Sequence, residues 1–308
     1  MVQQPSSVWW GSEQVPLAKR GGVVTIGNFD GVHLGHRALL AAARELAGDR
    51  DVVAYTFDPS PRDVMVPGHG VPRIQATDDR VDLLRRQGAD QVVVEAFTPK
   101  FATQEPEAFA RDVLQRRLGA TGCVLGYDFR FGRGRRGDAD LLRRVLDVPV
   151  RVVDPVYLGS SPISSTRVRA AVAEGRIREA TACLGRPHVL NGLVVRGQEI
   201  GRTLGFPTAN LALSTELRPP LGVYAVRVVH EGRSWRGVAN HGVRPTVDAS
   251  GSPTFEVHVL DFTGDLYGQH LEVELVERLR AERAFSSRDE LVEQIARDSQ
   301  HAREALDA

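Results

Sequence analysis

The stretch Val23–His36, VVTIGNFDGVHLGH, carries the clearest fold signal in the first half of the chain. Its four opening residues are β-branched, which is typical of a buried strand. Glycines follow at Gly27, Gly31 and Gly35, and an alanine- and leucine-rich segment reaching Leu46 predicts a helix. A strand, a glycine-rich turn and a helix in this order indicate the first unit of a parallel α/β sheet.

The same alternation continues to about Cys183. Further strands are predicted at 52–57, 91–94, 123–125 and 150–153, and further helices at 77–87, with Thr77 as N-cap, at 106–118 and at 138–146. We therefore expect a Rossmann-like, mostly parallel sheet covered by helices on both faces. Two short helices, at 165–174 and 178–184, close this part of the chain.

The pattern changes after residue 185. Apolar or alternating segments at 189–195, 223–229, 235–239, 255–260 and 271–275 are separated by glycine and proline turns. They predict a small antiparallel β-barrel. Ser287 and Glu290 form a capping box that begins a terminal helix. We expect two domains, residues 1–185 and 186–308.

Composition restricts the function. The 308 residues carry 39 basic and 39 acidic side chains, and this zero net charge lacks the global signature of a nucleic-acid or anionic-membrane binder. Lys19 and Lys100 are the only lysines, which excludes a P-loop NTPase. Cys123 and Cys183 lie too far apart in sequence for a C-x-x-C site. Without a signal-peptide pattern or a membrane-length apolar run, we expect a cytoplasmic protein.

The turn after the first strand is a candidate phosphate site. Gly27 and Gly31 allow the backbone to approach a phosphate closely, and the following helix N-terminus supplies free N–H groups. His33 and His36, three residues apart, can face one point and donate hydrogen bonds to phosphoryl oxygens. Glycine-rich turns are common and histidines often only pack, but the doubled histidine favours the functional interpretation.

A second segment fits the same site. Ser164, Ser165 and Thr166 follow the strand at 150–153, and their hydroxyls can cap a helix or bind a polyphosphate. Arg167 offers a forked donor for the charge of a leaving pyrophosphate. Taken alone, this segment is more often a helix cap than a site.

Together, GNFDGVHLGH (27–36) and ISSTRVR (163–169) resemble the nucleotidyltransferase module of prokaryotic bifunctional riboflavin kinase/FAD synthetases. GYDFRFG (126–132) is similar to the nucleotide-binding loop of that module. The resemblance implies that ATP is bound by Gly27, Phe29, Asp30, Gly31, His33, His36, Asp128, Ser164, Ser165, Thr166 and Arg167. It also implies that His33, His36 and Arg167 stabilise the reacting phosphates. No residue of the module resembles a covalent nucleophile, so we expect direct in-line transfer.

Two further loops, at residues 56–59 and 132–137, each allow more than one functional interpretation. TFDP (56–59) resembles a family loop and implies that Asp58 contacts flavin or nucleotide phosphate, but Ser60 stands where the family commonly has histidine. Residues 132–137, GRGRRG, match the dinucleotide-binding pattern G-x-G-x-x-G. Their place late in the sheet instead favours an arginine-rich loop near ATP or a solvated turn.

In the second half, residues 201–210, GRTLGFPTAN, form a further candidate phosphate site. Thr208 and Asn210 offer the hard oxygen ligands that Mg²⁺ prefers. The segment resembles the magnesium–ATP motif of riboflavin kinases. That resemblance implies ATP contacts at Gly201, Gly205, Phe206, Pro207, Thr208 and Asn210, with Thr208 and Asn210 as metal ligands.

Strand alternation places Glu256 on the face opposite Phe255 and Val257. On this pattern alone, Glu256 is either a solvated strand residue or a base for an attacking hydroxyl. The family motif favours the base. Residues 279–285 resemble the family's flavin-binding segment, which implies that Glu256, Arg280, Glu282 and Phe285 contact the flavin. Whether Phe285 packs on the isoalloxazine or anchors the last helix stays open.

The resemblance covers almost the whole chain. It implies phosphorylation of riboflavin to FMN by ATP and Mg²⁺, then adenylylation of FMN to FAD with release of pyrophosphate. Two alternatives are a riboflavin kinase with weak or absent adenylylation, because of Ser60, and a non-catalytic flavin-binding regulator. We expect small-molecule substrates and neither nucleic-acid nor membrane partners. A homo-oligomer is left open.

Overall fold

A computed structural model of the chain describes residues 7–66, 68, 70–197, 206–243 and 253–307. The chain divides into two compact units. The first comprises the residues up to Pro72 together with Ala76–Ser164, and the second comprises Arg73–Gln75 together with the chain from Ser165 onwards. The sequence-based boundary near residue 185 therefore falls inside the second unit.

The first unit contains a six-stranded sheet. Its strands are β1 (Ser7–Trp9), β2 (Val23–Ile26), β3 (Val52–Phe57), β4 (Gln91–Glu95), β5 (Gly122–Gly126) and β6 (Val150–Val153). Their order across the sheet is β1-β4-β3-β2-β5-β6, and every neighbouring pair is parallel. A short antiparallel hairpin, β7 (Tyr157–Leu158) and β8 (Ser161–Pro162), follows the last strand.

Both faces of this sheet are covered, as predicted. Every residue of β2, β3 and β4 is buried. Alternation sends Val24 and Ile26 into one hydrophobic cluster and Val23 into the cluster on the other face. The carboxyl ends of the strands therefore form one edge where polar loops can gather.

The helices of the first unit differ from prediction in several details. They are α1 (Leu34–Ala47), α2 (Pro61–Met65), α3 (Thr77–Arg86), α4 (Pro99–Ala102), α5 (Pro106–Ala108) and α6 (Ala139–Val145). The short helices α2 and α4 were not predicted. Thr77 is not the N-cap of α3: Ala76 occupies that position and makes no side-chain capping bond. The helix predicted at 106–118 continues from α5 as a π-helix, Phe109–Arg117. Strand β1 was missed because its three residues carry too little pattern.

The second unit contains a closed antiparallel barrel. Its elements are α7 (Ser165–Ala173), α8 (Ile177–Leu184), β9 (His188–Val195), β10 (Ala209–Leu213), β11 (Gly222–His230), β12 (Arg233–Val243), β13 (Pro253–Val259), β14 (His270–Arg280) and α9 (Arg288–Asp307). The strand order is β10-β13-β12-β11-β14-β9. Barrel and terminal helix confirm the predicted fold class.

Five barrel strands were predicted, and β10 was missed. Its sequence, ANLAL, has no β-branched residue, so its local strand propensity is weak. Pairing with β9 and β13 makes it a strand. Along β13, Phe255, Val257 and Val259 are buried in the barrel core while Glu256 and His258 face outward, as the alternation predicted.

Candidate active sites

The glycine-rich turn lies at the carboxyl edge of the parallel sheet. His33 is the N-cap of α1, and its Nδ1 accepts a hydrogen bond from the backbone N–H of His36 at 3.3 Å. The proton of a neutral His33 ring therefore lies on Nε2. Only glycine fits easily at position 35, because a Cβ there would lie 3.1 Å from the His33 ring and 3.7 Å from the Ile163 carbonyl oxygen. Ile163, the first residue of the second predicted segment, thus lies beside this turn.

The two histidine rings are stacked. Their centroids are 3.6 Å apart with an interplanar angle of 16°, and Phe29 packs edge-on against His36 at 5.2 Å. Burial, and then the nearby His33 and Arg80, hold the pKa of His36 well below its usual 6.5. His36 is therefore neutral at physiological pH. The structure thus brings the two predicted rings together, stacked on each other, and their role toward a phosphate stays a prediction.

The turn itself is held in a strained backbone conformation. Phe29 and Val32 have φ values of 50° and 39°, which side chains with a Cβ rarely adopt. The Val32 N–H donates to the Phe29 carbonyl at 3.0 Å. The Asn28 carbonyl accepts from Thr56 Oγ1 at 3.1 Å and from Arg80 Nη1 at 3.0 Å. Asp30 is buried, 7% exposed.

The second predicted segment spans the division between the units. Ser164 belongs to the first unit, whereas Ser165, Thr166 and Arg167 begin α7 in the second. Arg167 Nε donates to Glu179 Oε1 at 2.8 Å. This ion pair orients the guanidinium, and no sequence pattern indicated it.

Ser60 has a local role that explains its presence. It is the N-cap of α2, and its Oγ accepts from the N–H of Arg62 at 3.3 Å. The preceding Asp58 donates its N–H to the Glu95 carbonyl at 3.0 Å. The serine therefore fixes the start of a helix whose residues line a cavity.

That cavity, of about 700 Å³, opens beside the turn in the first unit. Six phenylalanines line it: Phe57, Phe97, Phe101, Phe109, Phe129 and Phe131. Gly27, Asp128 and Arg130 add polar groups. Its size and lining suit a flat aromatic ligand. Sequence reasoning missed the aromatic set because its members come from a strand, loops and helices that are separated along the chain.

The GRGRRG segment does not form a dinucleotide-binding turn. It contains a 3₁₀ turn, Arg133–Arg135, closed by a bridge between Phe131 and Gly137, and α6 begins only after the segment, with Asp138 as its N-cap. Arg133 and Arg136 pair with Glu105. The exposed Arg135 lines the cavity, so the arginine-rich loop is the better interpretation.

No cysteine is suited to covalent catalysis. Cys123 is fully buried, and burial raises the pKa of its thiol to about 12. Burial also raises the pKa of Cys183. Both thiols therefore stay protonated at neutral pH.

In the barrel, the predicted kinase residues gather around the start of β10. Thr208 Oγ1 donates to Glu256 Oε2 at 3.4 Å. Asn210 is the cross-strand partner of Glu256, and its amide lies so close to Gly197 that a Cβ there would overlap it. Gly201 and Gly205 lie outside the described residues.

Phe206 and Pro207 are held by His258. The Phe206 and His258 rings meet edge-to-face with centroids 5.6 Å apart, and His258 Nδ1 donates to the Pro207 carbonyl at 2.7 Å. A cavity of about 490 Å³ lies next to Thr208. Its wall includes the turn at residues 262–267, which sequence reasoning did not assign to a site.

The C-terminal segment is tied to α9. Arg280 donates from Nε and Nη2 to the buried Asp298, which also accepts from Gln294 Nε2 at 2.7 Å. The guanidinium carbons of Arg280 and Arg283 lie 5.8 and 4.7 Å from the Phe285 ring centroid. Phe285 therefore helps anchor the segment to the start of α9.

Glu282 lies across from the end of β12. Its carboxylate accepts the N–H of Val243 at 3.2 Å, and a Cβ at Gly242 would overlap it. The predicted flavin-binding residues Arg280, Glu282 and Phe285 thus each have a defined contact. The part of the chain that the structure describes holds no cluster of three or more His, Cys, Asp or Glu residues suited to a metal.

Comparison with known proteins defines the class. A family model for FAD synthetase matches residues 15–167, and one for riboflavin kinase matches residues 184–306. The two units thus correspond to a transferase with an adenylylating part and a phosphorylating part, both acting on flavins.

Curated relatives agree over nearly the full length. The bifunctional riboflavin kinase/FMN adenylyltransferases of Escherichia coli K12 and Pseudomonas fluorescens are 41% and 40% identical, over 93% and 92% of this chain and 93% of each relative. That of Bacillus subtilis is 33% identical over 91% of both chains. The chain belongs to the bifunctional riboflavin kinase/FMN adenylyltransferase family. It phosphorylates riboflavin to FMN and adenylylates FMN to FAD.

A solved structure supports the fold. A crystal structure from Streptococcus pneumoniae, described as a macrolide-efflux protein, has a TM-score of 0.90 and 32% identity, covering 97% of this chain and 99% of that chain. The efflux description applies to that protein. Among the described residues of the present chain, no helix has the length and apolarity to cross a bilayer.

Proposed function

We propose that adenylylation takes place at the glycine-rich turn of the first unit. The stacked His33–His36 pair at the N-terminus of α1 carries this proposal. In the reaction, an FMN phosphate oxygen attacks the α-phosphorus of ATP, and the bond to the β-phosphate oxygen breaks, so pyrophosphate leaves. Because His36 is neutral, the pair acts by donating hydrogen bonds to the phosphoryl oxygens rather than by adding a cation.

The surrounding groups would bind the substrates. Gly27, Phe29, Asp30 and Gly31 would form the phosphate cradle, and the aromatic cavity, with Asp58 and Asp128 at its loops, would take the flavin or adenine ring. Ser164, Ser165 and Thr166 would contact the polyphosphate and Arg167 its leaving charge. Glu179 would hold that guanidinium in a fixed direction.

Riboflavin phosphorylation is proposed for the barrel, with Glu256 as base. The carrying observation is the 3.4 Å contact from Thr208 to Glu256, which joins the two predicted motifs. The Glu256 carboxylate would take the proton of the ribityl hydroxyl as its oxygen attacks the γ-phosphorus, and ADP leaves. Phe206, Pro207 and the neighbouring cavity would hold ATP, with Gly201 and Gly205 as further predicted contacts, while Arg280, Glu282 and Phe285 would border the flavin.

The donor set at this site fits Mg²⁺. Thr208 and Asn210 supply neutral oxygens beside one carboxylate, and Mg²⁺ in kinases takes most of its other ligands from phosphates and water. The absence of a larger acidic cluster among described residues agrees with a metal that arrives with ATP. When bound, Mg²⁺ supplies charge neutralisation on the phosphates.

The cellular setting is also a proposal. We infer that the enzyme works in the cytoplasm on small molecules, with no nucleic-acid partner, because its relatives are bacterial biosynthetic enzymes and its net charge is zero. A homo-oligomer stays open. The sequence motifs and the two family matches favour a bifunctional enzyme over the kinase-only and regulator alternatives.

The test is a reciprocal pair of variants. Glu256→Gln keeps the size of the side chain but removes the base, so FMN formation should fall at least 100-fold while FMN adenylylation stays within twofold, on the order expected for a lost general base. His36→Ala should instead lower FMN adenylylation and leave FMN formation within twofold. Both products are followed by chromatography with riboflavin or FMN as substrate. Loss of both activities in each variant would contradict two separate sites.

A further inference from the structure

Arg80, in the middle of α3, is a buried cation beside the adenylylation turn. It is 4% exposed. Its Nη1 donates to the Asn28 carbonyl at 3.0 Å, and its Nη2 donates to the Phe57 carbonyl at 2.8 Å and to Thr77 Oγ1 at 3.4 Å. Burying a guanidinium is costly unless its donors are satisfied. A basic residue at this place therefore needs a reason beyond packing.

The two carbonyls mark the ends of two neighbouring strands. Asn28 follows β2 and begins the glycine-rich turn, and Phe57 ends β3 just before Asp58. One planar guanidinium thus joins the two loops at the carboxyl edge of the sheet. A lysine ammonium, as a single point donor, could not match this forked geometry as well.

The contact at Asn28 also sets the direction of the next N–H. The peptide between Asn28 and Phe29 is trans, so its N–H points away from the carbonyl that Arg80 holds. Phe29, directly after it, has the left-handed φ of 50°. A strained residue of this kind persists only when its neighbours hold it in place.

We propose that Arg80 is a positioning residue for FMN adenylylation, which fixes the turn Gly27–His36 in its reactive shape by holding the Asn28 and Phe57 carbonyls. This inference rests on the proposed function of that turn. Arg80 does not need to touch the substrate; it acts through the turn and through His36.

The charge of Arg80 adds an electrostatic effect on His36. Besides burial, the two groups that lower the pKa of His36 are His33, stacked on it, and Arg80 on α3. Removing the positive charge at position 80 should therefore raise the pKa of His36. A loss of folding stability alone would not produce this selective shift.

The experiment compares Arg80→Met, Arg80→Lys and the control Arg86→Met in the full-length enzyme. Arg86 is an exposed arginine of the same helix. Arg80→Met should lower kcat for FMN adenylylation about 10- to 100-fold, with KM for FMN changed less than about threefold, because misplacement of a reactive turn mainly affects the chemical step. Riboflavin phosphorylation, measured on the same sample, should stay within twofold. Arg80→Lys should recover part of the loss, and Arg86→Met should behave like the unmodified enzyme.

NMR titration gives a readout independent of turnover. The ring resonance of His36, assigned by its loss in His36→Gln, should titrate at higher pH in Arg80→Met than in Arg80→Lys or Arg86→Met. If Arg80→Met does not fold, Arg80→Gln, which keeps a donor but no charge, replaces it.

Two results would overturn the proposal. One is adenylylation by Arg80→Met within twofold of the unmodified enzyme. The other is an equal fall of both activities with no selective change at His36, which would assign Arg80 a role in folding alone. The variant His36→Ala separates failure of the Arg80 proposal from failure of the proposed function. If His36→Ala also keeps full adenylylation, the turn is not the adenylylation site.

Discussion

At the scale of single residues, burial decides the chemistry of the histidines. The spacing of His33 and His36 predicted that the rings would converge, but their protonation was open. The structure shows His33 Nδ1 accepting the N–H of His36 and shows His36 stacked and shielded, so its pKa is low. Cationic stabilisation in a lysine-poor protein then falls to arginines and helix N-termini.

His188 gives a residue-scale prediction about pH. It is 1% exposed, its Nε2 contacts the Leu217 carbonyl at 3.1 Å, and burial lowers its pKa from 6.5 to about 4. Because the folded state resists protonation, its stabilising contribution is complete above pH 6.5 and is lost as pH falls from 6.5 towards 4. The full loss is on the order of 3 kcal/mol.

Thermal unfolding at pH 7.5 and pH 5 measures this effect. His188→Asn keeps a donor but cannot titrate, so its melting temperature should fall less between these pH values than that of the unmodified enzyme. His270→Asn, at an exposed position of β14, is the control and should keep the full pH dependence. An equal fall in His188→Asn would assign the acid sensitivity to other groups.

At the scale of elements, α9 is fixed to the barrel by charged contacts. Asp298 of α9, 3% exposed, binds Arg280 at the end of β14, and Arg227 Nη2 donates to the Leu306 carbonyl at 2.7 Å. Ser287 caps the helix through the N–H of Glu290 at 3.1 Å. The Ser287 cap was evident in the sequence, but the Glu290 carboxylate accepts the N–H of Ser286 rather than that of Ser287. The Arg280–Asp298 pair, whose residues are separated by 18 positions, was not evident.

This contact leads to a prediction for the kinase. Asp298→Asn weakens a buried ion pair and should reduce stability by roughly 2 kcal/mol. It should also raise the KM for riboflavin several-fold, because Arg280 and Phe285 lose their anchor. Adenylylation of added FMN should not change. Asp289→Asn, on an exposed part of the same helix, is the control. If both variants have the same KM for riboflavin, Asp298 does not anchor the flavin-binding segment.

At the scale of the whole molecule, two folds of different kinds perform successive reactions. A parallel sheet gathers its loops at one edge, and a closed barrel places its polar residues on outward-facing positions. Each unit has its own hydrophobic core. FMN, the product of riboflavin phosphorylation, is the substrate of adenylylation.

This arrangement predicts complementation between variants. An equimolar mixture of Glu256→Gln and His36→Ala should convert riboflavin to FAD after a lag, because FMN released by the kinase of one molecule can reach the adenylylating unit of another. Each variant alone should form no FAD from riboflavin. If the mixture makes FMN but no FAD, while Glu256→Gln still adenylylates added FMN, free transfer of FMN through solution is wrong.

The amino-acid sequence alone indicated the fold class, a two-part organisation and the candidate site residues, whose roles stay predictions. These follow from local signals: β-branched runs, glycine turns, a capping box, and motifs such as residues 27–36 and 206–210. Short elements such as β1 and β10 escaped it, because only pairing partners far along the chain make them strands.

The environment of these residues became visible only in the folded chain. Burial lowers the pKa of His36. Contacts between residues distant in sequence form the aromatic cavity, the Arg280–Asp298 pair and the hydrogen bonds from Arg80 to the Asn28 and Phe57 carbonyls. Local sequence cannot specify them, because desolvation and hydrogen bonding depend on neighbours brought together by folding. The scarcity of lysine excluded a P-loop from the sequence alone, whereas the contacts of Arg80 with the Asn28 and Phe57 carbonyls were visible only in three dimensions.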